Sequence, residues 1–120
     1  MDRAALGRRA EDIAADFLIQ QGLEVQLRNY RRRGGEIDLV ARHGDVLVIA
    51  EVRTRANIEF GGAAASIDGW KQHKIIRAAT QLLQQRKDFA RLRVRFDVLV
   101  IHHPGEPTEH VEWIQHAFEA

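Results

Sequence analysis

Two periods of hydrophobic residues run through the chain. Over residues 2–21, Leu6, Ala10, Ile13, Ala14, Phe17 and Leu18 recur at helical spacing. Asp2 is suited to cap the start of that helix and Gly22 to end it in a left-handed conformation. Residues 23–30 alternate loosely and predict a strand. Residues 36–43 and 46–53 are apolar-rich runs on either side of Gly44-Asp45, a glycine-first pair suited to a two-residue type II′ turn, so they predict a β-hairpin. A second helix is expected from about residues 67–69 to Arg86, capped by Ser66 or Asp68, with Ile75, Ile76, Ala79, Leu82 and Leu83 as its buried stripe. A strand follows over residues 95–101, with Phe96, Val98 and Val100 on one face and Asp97 on the other, where it can pair with an arginine. Residues 104–107 predict a turn, 111–115 a last strand and 116–120 a short tail. The elements describe an α/β domain over residues 1–120, with a mixed sheet built on a central hairpin and flanked by two main helices.

The hairpin carries the chemistry. With a two-residue loop, His43 faces Val46, Asp38 faces Glu51 and Glu36 faces Arg53. Ile37/Val52, Leu39/Ala50 and Ala41/Val48 then make one apolar face, and Val40/Ile49 is apolar on the other. Both faces are therefore expected to be buried, with a polar cluster at the end away from the turn. Two facing carboxylates repel unless a cation lies between them, and Asp and Glu oxygens suit Mg²⁺. A solvated hairpin edge is the plainer alternative; against it, Asp and Glu are depleted in strands.

Composition narrows the class. The chain of 120 residues has no Cys, which removes disulfides and zinc-thiolate sites together. It contains no apolar run of membrane length and no signal-peptide core, so a cytoplasmic protein is expected. The formal net charge is +1, so affinity for nucleic acid would have to come from local clustering of cations. The six histidines show no ligand spacing and read as surface residues.

Several other residues are candidates. Glu11, on the flank of the first helix, is either an ordinary solvated residue or one that reaches over the sheet towards the acidic pair. Arg28 and the run Arg31-Arg32-Arg33 form either a solvated turn or a phosphate clamp, since arginine forks match phosphate oxygens. Residues 56–66 contain Gly61-Gly62 and predict a mobile loop placed as a lid. Lys71 falls in the first turn of the second helix, where the helix dipole disfavours a cation, which hints at a task.

The pattern Asp38 … Glu51-Val52-Arg53 resembles the PD-(D/E)xK nuclease motif, an Asp on one strand followed by Glu-x-Lys on the next. The segments GEIDLVARHGDVLVIAEVRTR, FGGAAASIDGWKQHKI, RFDVLVI and VEWIQHAF are similar to successive segments of the YraN-type family of small bacterial proteins, over nearly the whole chain. That resemblance implies a restriction-endonuclease-like fold close to that of Holliday-junction resolvases. It implies Mg²⁺, with Mn²⁺ as the alternative, held by Asp38, Glu51 and the Val52 backbone carbonyl. Glu11 would match the helix-borne glutamate of the resolvases, and a homodimer is implied in the same way. Arg53 departs from the motif's lysine. Arginine stays charged and cannot readily act as a base, so Lys71 is the candidate to supply an ammonium.

The favoured reading is a Mg²⁺-dependent endonuclease acting on structured or branched DNA. Glu11, Asp38, Glu51, Arg53 and Lys71 would form its catalytic set, and Arg28, Arg31, Arg32, Arg33 and Arg55 would bind nucleic acid. The alternative is a non-catalytic nucleic-acid-binding or recombination-accessory protein on a nuclease scaffold. A small regulatory partner of another protein is a third class.

Overall fold

A computed structural model of the chain describes residues 2–54, 62 and 66–120. Helix α1 spans Arg3–Gln20 and is followed by strands β1 (Glu24–Arg32), β2 (Gly35–His43) and β3 (Val46–Thr54). Helix α2 (Gly69–Gln85), the one-turn α3 (Lys87–Ala90), β4 (Arg93–His102) and β5 (His110–Phe118) complete the described elements. Asp2 caps α1 by accepting from Ala5 N at 2.7 Å, and Gly22 after its end has φ 92°. Asp68 caps α2 by accepting from Lys71 N at 2.9 Å.

The five strands lie in sequence order, β1-β2-β3-β4-β5. All neighbours are antiparallel except β3 and β4, which are parallel. A parallel pair needs a crossover, and the chain between β3 and β4 supplies one with α2. The result is a mixed sheet with a main helix on each face, consistent with the restriction-endonuclease-like architecture. On one face α1 sets Ala10, Ala14, Ala15 and Leu18 against Leu39, Ala41, Val48, Ala50, Leu99 and Ile101. On the other, α2 sets Ile75, Ala78, Ala79 and Leu82 against Ile37, Val40, Leu47, Ile49, Val98 and Val100.

The hairpin turn is as expected: Gly44 has φ 61°, and the pairs run from His43/Val46 to Leu39/Ala50. Beyond Leu39/Ala50 the ladder stops, so Asp38/Glu51, Ile37/Val52 and Glu36/Arg53 are not paired as the simple register predicts. The cause lies one strand over. In the β1–β2 ladder, Arg28 pairs with Leu39 and Tyr30 with Ile37, but Asn29 and Asp38 between them make no pair. Asn29 has φ 53°, a left-handed conformation that Asn tolerates better than most residues. Across this kink both strands exchange faces. Ile37 and Tyr30 therefore join the α2-side core, and the apolar face expected for Ile37 with Leu39 and Ala41 is split.

Other boundaries differ in smaller ways. Strand β1 continues to Arg32, leaving only Arg33 of the arginine run in the turn with Gly34 (φ 75°). Strand β5 continues to Phe118, so three of the five residues of the expected tail are sheet, and Phe118 stacks on Phe96 with centroids 5.0 Å apart. Asp97 is fully buried and takes both prongs of Arg95 at 2.9 Å, the Trp113 indole N–H at 2.9 Å and His116 N at 3.0 Å. This is the structural pairing expected of it. Arg55 and, apart from Gly62 and Ser66, the expected lid lie outside the described residues.

Candidate active site

The ends of β2 and β3 separate where the ladder stops, and the carboxylates occupy the gap. Asp38 Oδ2 accepts from Val52 N at 2.9 Å, taking the place of a missing ladder carbonyl. Glu51 is buried, on the side of β3 that Leu47 and Ile49 present to α2. From α2, Lys71 extends its Nζ to Glu36 Oε1 at 2.9 Å and to Glu51 Oε1 at 3.5 Å. The misplaced cation of the first helical turn is thus held by two carboxylates. Glu36 pairs with Lys71, not with Arg53, because the kink at Asn29/Asp38 removes the register that would have joined them.

The protonation states follow from this crowding. Burial, followed by the Asp38 charge, pushes Glu51 up to about 8, against the opposing pull of Lys71 and Arg53. Burial also raises Asp38, opposed mainly by the hydrogen bond from Val52. Both carboxyls are therefore raised together, and each resists losing its proton while the other is charged. The hydrogen bond from Lys71 pulls Glu36 below its ordinary value, despite partial burial. Burial works against the Lys71 ammonium, but Glu51, Glu36 and Asp38 outweigh it and its pKa rises. Glu11 is raised by burial; the Asn29 side chain opposes this and the Asp38 charge adds to it. Glu11 of α1 is thus close enough to feel the Asp38 charge.

Two buried polar atoms at this site have no hydrogen-bond partner among the described residues: Glu51 Oε2 and Arg53 Nε. Arg53 spends its other end on the Ser66 carbonyl, with Nη2 donating at 3.1 Å. A buried carboxylate oxygen without a donor is costly unless something binds there. No three His, Asp or Glu side chains gather into a metal cage among the described residues. The donor set is nevertheless one that Mg²⁺ accepts, because that ion commonly takes one or two carboxylates and completes its shell with water and substrate phosphate.

Of the expected site residues, Asp38, Glu51, Arg53 and Lys71 come together, and Glu11 is linked to them only through the charge of Asp38. The arginines divide. Arg31 pairs across the ladder with Glu36 and acts on both Glu36 and Glu11. Arg28 is tied to Asp12 of α1 at 2.6 Å, and Arg32 lies over the Tyr30 ring at 4.3 Å and donates to Gln85 at 3.1 Å. Sequence reasoning missed Asn29, for which only its place opposite Asp38 is a signal, and it missed Lys74 and Arg77. Those two follow Trp70 at i+4 and i+7, a helical spacing visible in the sequence. An apolar cavity of about 200 Å³ between α2 and the β4–β5 edge includes none of the site residues.

The model of the "Uncharacterised protein family UPF0102" matches residues 10–101, which takes in Glu11, the hairpin and α2. The chain belongs to the UPF0102 family. This is the YraN-type family that its segments resemble. A UPF0102 protein of Dechloromonas aromatica is 47% identical over 116 residues, covering 97% of this chain and 90% of that one. One from Pseudomonas putida is 43% identical over 116 residues, covering 94% and 91%. One from Stutzerimonas stutzeri is 43% identical over 114 residues, covering 95% and 94%. No described helix of this UPF0102 chain is long and apolar enough to cross a membrane.

Proposed function

We propose that this UPF0102 protein is a metal-dependent endonuclease that hydrolyses phosphodiester bonds in structured or branched DNA. The observation that supports this reading is the buried Glu51 Oε2 beside Asp38, without a hydrogen-bond partner among the described residues and flanked by the cations Lys71 and Arg53. A protein that only binds nucleic acid gains nothing from carboxylates set against phosphate. Asp38, the free oxygen of Glu51 and the Val52 carbonyl would hold Mg²⁺. Bound there, Mg²⁺ would polarise a phosphate oxygen and lower the pKa of a water molecule.

The chain's own residues supply the rest. Hydrolysis forms a bond from water oxygen to phosphorus, breaks the bond to the leaving strand end and moves one proton from the water to that end. Lys71 and Arg53 would neutralise the added negative charge on phosphorus. Arg53 cannot accept the water's proton. Glu11 would orient the water or hold a second metal ion, as the resemblance to the resolvases implies. Arg31 lies beside the site to take a neighbouring phosphate.

Binding without hydrolysis is the second reading, and Arg53 in place of the motif's lysine favours it. The deciding experiment incubates linear, flapped and four-way DNAs with the protein in Mg²⁺ and in EDTA. Metal-dependent cleavage of at least one, lost in Glu51→Gln, is the expected result. Intact DNA throughout, including with Arg53→Lys, would leave only the binding reading.

A further inference from the structure

We infer that Trp70 is a stacking platform for an unpaired base, and that Lys74, Arg77 and Arg31 carry the phosphates next to it. The strand that enters the carboxylate site would then do so with at least one base outside the duplex. This rests on the reading of the site as one for nucleic acid, and it names the feature of the substrate that the site prefers.

Trp70 is 73% exposed and, with Ile19, one of two large hydrophobic residues in the open among the described residues. The other tryptophan, Trp113, is used structurally: its N–H donates to Asp97 and its ring meets Phe17 edge-on. Trp70 has no such role. Its ring is backed by the His73 imidazole, with centroids 6.5 Å apart and planes 26° from parallel. An exposed aromatic residue on its own means little. Its surroundings give it meaning.

Trp70 precedes Lys71, whose ammonium touches Glu36 and Glu51, so the platform adjoins the site. Lys74 and Arg77 follow at i+4 and i+7 and share its helical stripe. Lys74 lines a shallow depression of about 260 Å³ with Arg31, Gly34 and Gly35, and the Arg77 guanidinium lies against Gly34. Neither Lys74 nor Arg77 is in an ion pair with a described residue. Glu36 also lines the depression, but Lys71 already balances its charge. The stripe thus offers one aromatic face followed by two cations that form no ion pair with a described residue, although Lys74 is near enough to act on Glu36. Aromatic faces beside a cationic track are how proteins hold single strands, because every base has a face to stack and every linkage a charge to meet. A protein partner centred on Trp70 would favour an apolar surround, and the neighbours here are cationic.

The test measures binding of fluorescein-labelled oligonucleotides by anisotropy in EDTA, so that binding is read apart from cleavage. The probes are a single strand, a duplex with a single-stranded flap and a blunt duplex. Trp70→Ala should weaken single-strand and flap binding by about 5- to 100-fold. It should change blunt-duplex binding less than twofold, and Trp70→Phe should retain most of the affinity. Lys74→Ala and Arg77→Ala should weaken all three probes and each lower the slope of log affinity against log salt by about one. Equal affinities of Trp70→Ala and wild type for the flap would overturn the inference, as would an equal loss on all probes. So would a Trp70-dependent self-association without any effect on DNA. Failure of the cleavage experiment with a positive result here would remove the nuclease reading and leave this one standing.

Discussion

Asp38 holds the backbone N–H of Val52 at 2.9 Å, and that bond stands where the β2–β3 ladder ends. One carboxylate therefore closes a sheet and opens a site. Asp38→Asn retains an acceptor for Val52 N and should fold as wild type does. Asp38→Ala leaves that N–H without a partner and should lose about 1–3 kcal/mol of stability. Urea unfolding of the two variants in metal-free buffer checks the difference.

Glu51 makes metal-free stability depend on pH. Its folded value of about 8 lies above the ordinary 4.5, so the folded state binds more protons than the unfolded chain between those values. Stability should therefore fall as pH rises from about 4.5 to about 8 and level off above, at up to about 1.4 kcal/mol per pH unit in between. Asp38 and Glu11, also raised, act with the same sign. Glu36 is depressed, so its contribution is lost only as pH falls below 4.5. Glu51→Gln should flatten the profile across this window. A wild-type profile that rises through the window would contradict this assignment.

The Arg53 guanidinium donates through Nη2 to the Ser66 carbonyl, while its Nε has no hydrogen-bond partner among the described residues. Arg53→Ala removes a counter-charge from Glu51 and should lower stability by about 1–2 kcal/mol along with phosphate binding. Arg53→Lys should keep binding and keep or raise cleavage, since an ammonium can exchange a proton where a guanidinium cannot. Thermal unfolding, oligonucleotide binding and turnover, measured together, check this.

Gly35 allows α2 to lie close on β2. A Cβ there would sit 2.6 Å from the Lys74 carbonyl oxygen and 2.9 Å from Ala78 N, backbone atoms that cannot swing aside. Gly35→Ala should cost about 1–3 kcal/mol and shift the helix that carries Lys71. Both a lower unfolding midpoint and weaker DNA binding are expected.

Much of this was legible in the chain because local chemistry decided it. Asp2, Gly22, Gly44 and Asp68 fix helix ends and a turn by short-range hydrogen bonds and positive φ, and these fall where the sequence places them. That Asp38 and Glu51 lie close enough to act on each other was reachable from the hairpin, but the ladder stops at Leu39/Ala50, so they are neighbours at its end and not the opposed pair the register predicts. The Lys71–Glu36 contact was not reachable, because it depends on where α2 lands and on a kink at Asn29. Nothing in a loosely alternating strand announces that one Asn will turn left-handed and exchange the faces of its neighbours. The length of β5 was missed for a similar reason. His116 follows a polar residue, and its N–H is held by Asp97 across the sheet, a partner 19 positions away.

The central claim is that Asp38 and Glu51 are the two side chains of one metal site. Titration calorimetry with Mg²⁺ at pH 8.5, on wild type, Asp38→Asn and Glu51→Gln, tests it most directly. Wild type should bind with a measurable heat, more weakly at pH 6, where Glu51 must give up its proton, and both variants should show none. Binding of Mg²⁺ by either variant with wild-type affinity would contradict the claim.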